Sequence, residues 1–126
     1  MRRHLESQEQ RLFVARVRLD PRTRDLPCAA VPNGGKRGVV EASILKGEGV
    51  SPGVPDWLCF VAERGAWANR FVGLALEFKS PSGRGRLTDA QRAWHTMLRA
   101  NQWRVEIVTN HDEAFTILLH HLGHMP

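Results

Sequence analysis

Hydrophobic positions along this chain follow a helical rhythm in some stretches and a strand rhythm in others. In "HLESQEQRLFVARVR" (residues 4–18) Leu5, Leu12 and Ala15, with Leu19 beyond, fall on one helical face. Glu6, Glu9 and Gln10 sit near its start, where acids favour the helix dipole, and Asp20-Pro21 ends it. "CAAV" (28–31) predicts a short buried strand, and "VVEASILK" (39–46) a helix stopped by Gly47 or Gly49. "WLCFVAE" and "RFVGLALEFK" are apolar almost without a break, which predicts strands covered on both faces. With "RGAWAN" as their connection they predict a hairpin with a longer-than-minimal turn.

The second half is more regular. Thr88 reads as an N-cap with Gln91 as its capping-box partner, and Ala90, Trp94, Met97 and Leu98 form an apolar helical face. Asn101 suits a left-handed C-terminal cap. "WRVEIV" alternates, with Trp103, Val105 and Ile107 opposite Arg104 and Glu106. Asn110 and Glu113 repeat the capping-box pattern before a helix whose apolar face is Ala114, Ile117, Leu118 and Leu122. This order predicts an α/β fold: a mixed central β-sheet flanked by α-helices, with a right-handed parallel crossover between residues 71 and 108.

A length of 126 residues suits one domain spanning 1–126 and suffices for a core without cross-links. No apolar run approaches a membrane span. "MRRHLESQEQRLF" lacks the apolar region of a secretion signal, so a cytoplasmic protein is expected. Cys28 and Cys59 form no CxxC and read as reduced thiols; counting alone leaves a single disulfide open. A formal net charge of +5 favours polyanion partners, nucleic acid foremost. The charge is concentrated: from Lys79 to Arg104 six Lys or Arg face one acid, Asp89.

Chemistry gathers at the ends of the two apolar runs. Glu77 and Lys79, two apart in a strand, project to the same side. Antiparallel pairing sets the start of the first run, Asp56, beside the end of the second. Two carboxylates repel, and a hard divalent cation such as Mg²⁺ relieves that repulsion. A lysine alongside can orient an attacking water or steady charge on a phosphate. Charges at strand ends are also ordinary surface chemistry, and Asp after Pro is ordinary turn chemistry. "HHLGH" (120–124) fits no metal spacing, and its histidines suit a helix C-terminus. The four tryptophans read as core and edge packing, with Trp57 adjoining Asp56.

Four segments carry a family resemblance: "PNGGKR" (32–37), "GVSPGVPDW" (49–57), "LALEFKSPSGRGRLTDAQRAWHTML" (74–98) and the closing strand and helix. With them the chain resembles the virus-type replication-repair nuclease (VRR-NUC) domain of the PD-(D/E)XK superfamily, as a stand-alone, phage-type member. The ordered combination G-V-x-P-G-x-P-D, E-x-K, G-R-L-(S/T)-x-x-Q is far more specific than E-x-K alone. Asn101 replaces a glycine frequent in the family between helix and strand.

The resemblance implies a restriction-endonuclease-like core and structure-directed cleavage of DNA with Mg²⁺ or Mn²⁺. Asp56 and Glu77 would be metal ligands, with the Phe78 carbonyl as a third, and Lys79 the catalytic lysine. Gln91 matches the family's helix glutamine, although as a capping-box residue it would turn back to Thr88. A glutamate of the first helix would face the metal: Glu6, with Glu9 as the alternative. Lys36 and Arg37, and more so Arg84 and Arg86 in the glycine-rich loop, are expected to contact phosphates. Small stand-alone relatives imply a homodimer acting on branched or junction DNA. The rival expectations are a DNA-binding accessory module without catalysis and a metal hydrolase of small phosphates.

Overall fold

The computed structural model describes residues 2–32, 38–83 and 86–124. Four strands, β1 (Cys28–Ala30), β2 (Trp57–Cys59), β3 (Gly73–Phe78) and β4 (Trp103–Val108), form one sheet in the order β1-β2-β3-β4. β1/β2 and β2/β3 are antiparallel and β3/β4 is parallel. The helices are α1 (Arg2–Leu19), α2 (Val39–Gly47), α3 (Asp89–Ala100) and α4 (His111–His121). The mixed sheet flanked by helices is the expected class.

β3 is the hub, with all six residues buried. Its alternation sorts the core. Leu74, Leu76 and Phe78 join Trp57, Cys59, Val108 and the apolar faces of α1 and α4 in one cluster. Glu77, on the opposite face, meets α3. A side chain at Gly73 would strike the Trp103 ring, at 2.6 Å, so glycine is needed where β3 begins against β4.

Several expectations are corrected. On α1 the buried stripe is Phe13 and Val17, while Leu5, Leu12 and Leu19 stand exposed. The helix offers apolar side chains on more than one side, and the Phe13 ring fixes the choice by packing edge-on to Trp57 at 4.8 Å. Glu6 and Glu9 lie past the first turn, which contains no acid, so they serve other partners than the dipole. β2 is shorter than "WLCFVAE": continuing its register would pair residue 62 with Phe71, but the Glu63 amide meets the Phe71 carbonyl instead. One extra residue breaks the ladder, and Phe60 turns out to solvent against Trp103.

On α3 the buried residue is His95, and Met97 is exposed. The left-handed residue is Gln102 (φ 68°), whereas Asn101 (φ −103°) ties its side-chain amide to the Met97 carbonyl. Asn110 caps α4 through the Glu113 amide, but the Glu113 carboxylate accepts from Thr109 rather than closing a box on Asn110.

Candidate active site

The hairpin register decides what meets at the end of the sheet. Trp57 pairs with Leu76, so Asp56 and Glu77 come one step later, opposite each other. Their carboxyls share a hydrogen bond. Asp56 Oδ2 also accepts from the Phe78 amide at 2.7 Å, which pins it across the end of β3. Glu77 is only 2% exposed, and its Oε1 accepts from Nε2 of His95 at 3.1 Å.

Burial pushes the Asp56 carboxyl up to about 8, helped by the neighbouring Glu77 charge and the shared hydrogen bond. The Phe78 amide and Lys79 pull the other way and lose. Burial also raises Glu77, against the Asp56 hydrogen bond and Lys79. At neutral pH the pair therefore holds a proton between them. Burial lowers His95, as do Arg99 and Lys79, which favours a neutral imidazole; opposite a carboxylate acceptor, Nε2 is the nitrogen that would carry its proton. Its buried Nδ1 has no hydrogen-bond partner.

Lys79 follows Glu77 on the same side of the chain, and its ammonium donates to Gln91 Oε1 at 3.0 Å. The same Gln91 oxygen accepts from the Thr88 amide at 2.9 Å, and Thr88 Oγ accepts from the Gln91 amide. Cap and lysine partner are thus one geometry, because the first turn of α3 begins beside the end of β3.

Gly53, in the loop before Asp56, fixes that closeness. It has φ +94°, and a Cβ there would lie 2.5 Å from the Ala90 carbonyl. Only glycine lets the 49–55 loop rest on the first turn of α3, and Asp56 and Gln91 line one cavity.

The two glutamates of α1 part company. Glu6 Oε1 accepts from the Ser80 amide at 3.0 Å, just past Lys79, and lines the same cavity as Asp56, Phe78 and Gln91. Glu9 Oε1 accepts from the His111 amide and so caps α4. Of the expected phosphate contacts, Arg86 is exposed, while Lys36, Arg37 and Arg84 lie outside the described residues. His121 donates from the core to the Val61 carbonyl, His120 pairs with Arg104, and His124 meets the Leu119 carbonyl through its backbone. Trp57 is core.

Among the described residues no three His, Cys, Asp or Glu side chains converge on a point suited to a metal ion. The converging oxygen donors are the Asp56–Glu77 pair, with backbone nearby. His95 is the residue that sequence reasoning passed over. Its signal was position: four after Gln91, on the helix face that must look at β3.

The comparisons bear on the fold and the family. A solved structure described as a VRR_NUC domain protein superposes with a TM-score of 0.72, covering 93% of this chain and 87% of its own at 22% identity, a likeness of fold. Curated protein sequences give no match. The VRR-NUC domain model matches residues 3–112, from the first helix through the paired carboxyls to the start of α4, and the chain belongs to that family of nuclease domains.

Proposed function

We propose that this protein is a Mg²⁺- or Mn²⁺-dependent endodeoxyribonuclease that hydrolyses phosphodiester bonds in branched or junction DNA, within phage or viral DNA replication, recombination or repair. The observation that carries the reading is the buried Asp56–Glu77 pair, which shares a proton and, among the described residues, has no arginine in an ion pair with it. The donor set fits a small hard ion, which takes one or two carboxylates, keeps several waters and needs no cage of side chains. Asp56 and Glu77 would hold it, with the Phe78 carbonyl completing the set. When bound, the ion supplies Lewis acidity toward a phosphoryl oxygen and lowers the pKa of its water.

The chain's own groups do the rest. Lys79 has three donor hydrogens. The Gln91 oxygen takes one and aims the ammonium, leaving two for an attacking water or a phosphate oxygen. Glu6, across the cavity from Gln91, would receive the waters around the ion. Neutral His95 fixes the Glu77 carboxylate from behind, as outer-shell partners of metal ligands do. Arg86, with Lys36, Arg37 and Arg84, would hold phosphates without reading bases.

One chain of this size covers little DNA. A C2 homodimer in the host cytoplasm, with two sites on two strands, is the assembly we propose. No helix among the described residues is long and apolar enough to cross a membrane. The test is nicking of four-way junctions, splayed arms and linear duplex with Mg²⁺ or Mn²⁺, wild type against Glu77→Ala, with molecular mass in solution measured alongside. Metal-dependent cleavage lost in the variant supports the reading; DNA binding without any metal-dependent cleavage overturns it.

A further inference from the structure

A groove of about 970 Å³ runs from Asp56, Phe78 and Gln91 along α1, with the edge strand β1 and its following residues as the other wall. Arg11 and Arg18 line it, seven residues apart. Two helical turns put them on the same side of α1, about 10 Å apart along the axis. Val14, between them in sequence, lines it too, as do Val31 and Pro32, so apolar surface adjoins the two arginines, while the acids Glu6 and Asp56 line it as well.

Both arginines are exposed and neither is in an ion pair among the described residues. Their neighbours differ: Arg16 is tied to Asp112 and Arg22 to Asp20. Two uncommitted guanidiniums beside a groove that opens onto the carboxyl pair are suited to phosphates. The volume is that of a small-ligand site. It suits a few nucleotides of one strand.

We propose that this groove holds a single-stranded arm of the DNA substrate, with Arg11 and Arg18 on its phosphates and its bases or sugars on the Val14–Val31–Pro32 floor. The assignment rests on the nuclease reading for the direction in which the strand enters. It gives that reading a physical source of preference for branched DNA: a duplex must offer an unpaired arm to use the groove.

The test is binding without metal, by fluorescence anisotropy in EDTA, of a blunt duplex and of the same duplex carrying a single-stranded arm. The proteins are wild type and Arg11→Ala/Arg18→Ala, whose circular dichroism should match because both side chains are exposed. The variant should bind the armed DNA at least tenfold more weakly and the blunt duplex within twofold of wild type. Its salt dependence on armed DNA should be shallower by about 1.4 in log–log slope, the value for two phosphate contacts on a single strand. Equal loss on both DNAs, or none, overturns the proposal. Cleavage plays no part in this readout, so arm-selective loss in a protein that cuts nothing would sink the nuclease reading alone.

A different observation carries a second inference. Cys28 and Cys59 are free and pair directly across β1 and β2. The Val31 amide bonds Asp56 and the Phe60 amide bonds Pro27, so pairs 31–56 and 27–60 are hydrogen-bonded. By alternation Cys28–Cys59 is a non-hydrogen-bonded pair, with Cα atoms about 4.5 Å apart and side chains at their closest. That separation is within the range a disulfide spans.

We infer that the two thiols form a cross-strand disulfide under peroxide. Half-buried Cys28 is oxidised first to the sulfenic acid with release of water. The buried Cys59 thiol then displaces a second water, so that two thiols and one peroxide give a disulfide and two waters. Peroxide treatment should remove two free thiols and lower the intact mass by two hydrogens, with reversal by dithiothreitol. Cys59→Ser should stop at the sulfenic acid, trapped by dimedone on Cys28. Oxidation to intermolecular dimers, or no loss of thiols, overturns the assignment.

Discussion

Two glutamates, Glu63 and Glu77, are each 2% exposed, yet they are built in opposite ways. Glu63 follows β2 and takes both nitrogens of an Arg70 fork, at 3.2 Å each. Its charge is neutralised inside the molecule. Glu77 faces a second carboxyl and a neutral imidazole, and burial raises it. A buried carboxylate with its own arginine is a finished piece of structure. The Glu77–Asp56 pair has no such partner among the described residues and shares a proton instead, and we propose that a cation completes it. The lysine nearby does not complete it: Lys79 pulls both carboxyls down, and burial outweighs it.

The comparison can be broken first at Glu77. Glu77→Ala should reduce metal-dependent cleavage by about 10²–10³-fold or more, the scale seen when one stabilising group is lost from an active site. Melting temperature in EDTA should hold or rise, since a buried, uncompensated acid is removed. A variant that cuts normally would move the site elsewhere.

His95→Leu comes next. It keeps the volume of the α3 face and removes the donor to Glu77, so Mn²⁺ affinity, followed by titration calorimetry, should weaken by about 10–100-fold. Rescue by His95→Gln, which restores a donor, would separate positioning from packing.

On the proposed reading, proton and cation compete for the same pair. Burial pushes Asp56 up to about 8 in the folded protein, against its ordinary 3.8. Between roughly pH 4 and pH 8 the folded chain keeps a proton that the unfolded chain has released. Without metal, stability from this group is complete below that window and is lost as pH rises through it. Melting curves in EDTA should fall from pH 5 to pH 8. Metal affinity should rise about tenfold per pH unit up to the same point, because binding must expel the proton. A flat metal affinity across this window would mean that the carboxyls are not the ligands.

Glu63→Gln sharpens the other side. It should lower stability by about 2 kcal/mol in urea titrations, the scale of hydrogen bonds to a charged group, with Arg70 half-exposed and part of its charge solvated. Cleavage at permissive temperature should not change. Loss of cleavage with unaltered stability would erase the distinction between the two glutamates.

How far the sequence could be read follows from where each pattern has its cause. Capping of α3 by Thr88 and Gln91 is local, since hydroxyl, amide and backbone lie within four residues. Pairing of Asp56 with Glu77 needs only strand alternation and one hairpin, so it too was legible. The face of α1 was not: Leu5 and Leu12 make as good a stripe as Phe13 and Val17, and the Trp57 ring, about forty residues away in sequence, makes the selection. His95 was hidden for a similar reason, because a histidine on a helix face gains meaning only from what β3 sets opposite it. Gln102 took the left-handed position beside an asparagine better suited to it, because the turn geometry between α3 and β4 ranks above local preference.

The sequence by itself determined the α/β order, the family, the carboxyl pair and its lysine. These depend on periodicity and short-range spacing, which a linear string preserves. The tertiary structure decided which glutamate of α1 joins the site, sending Glu6 to Ser80 and Glu9 to the start of α4. It also brought the Gln91 oxygen to Lys79 and put His95 behind Glu77. Those choices depend on which elements touch, and contact between distant segments is set by packing the whole chain around β3.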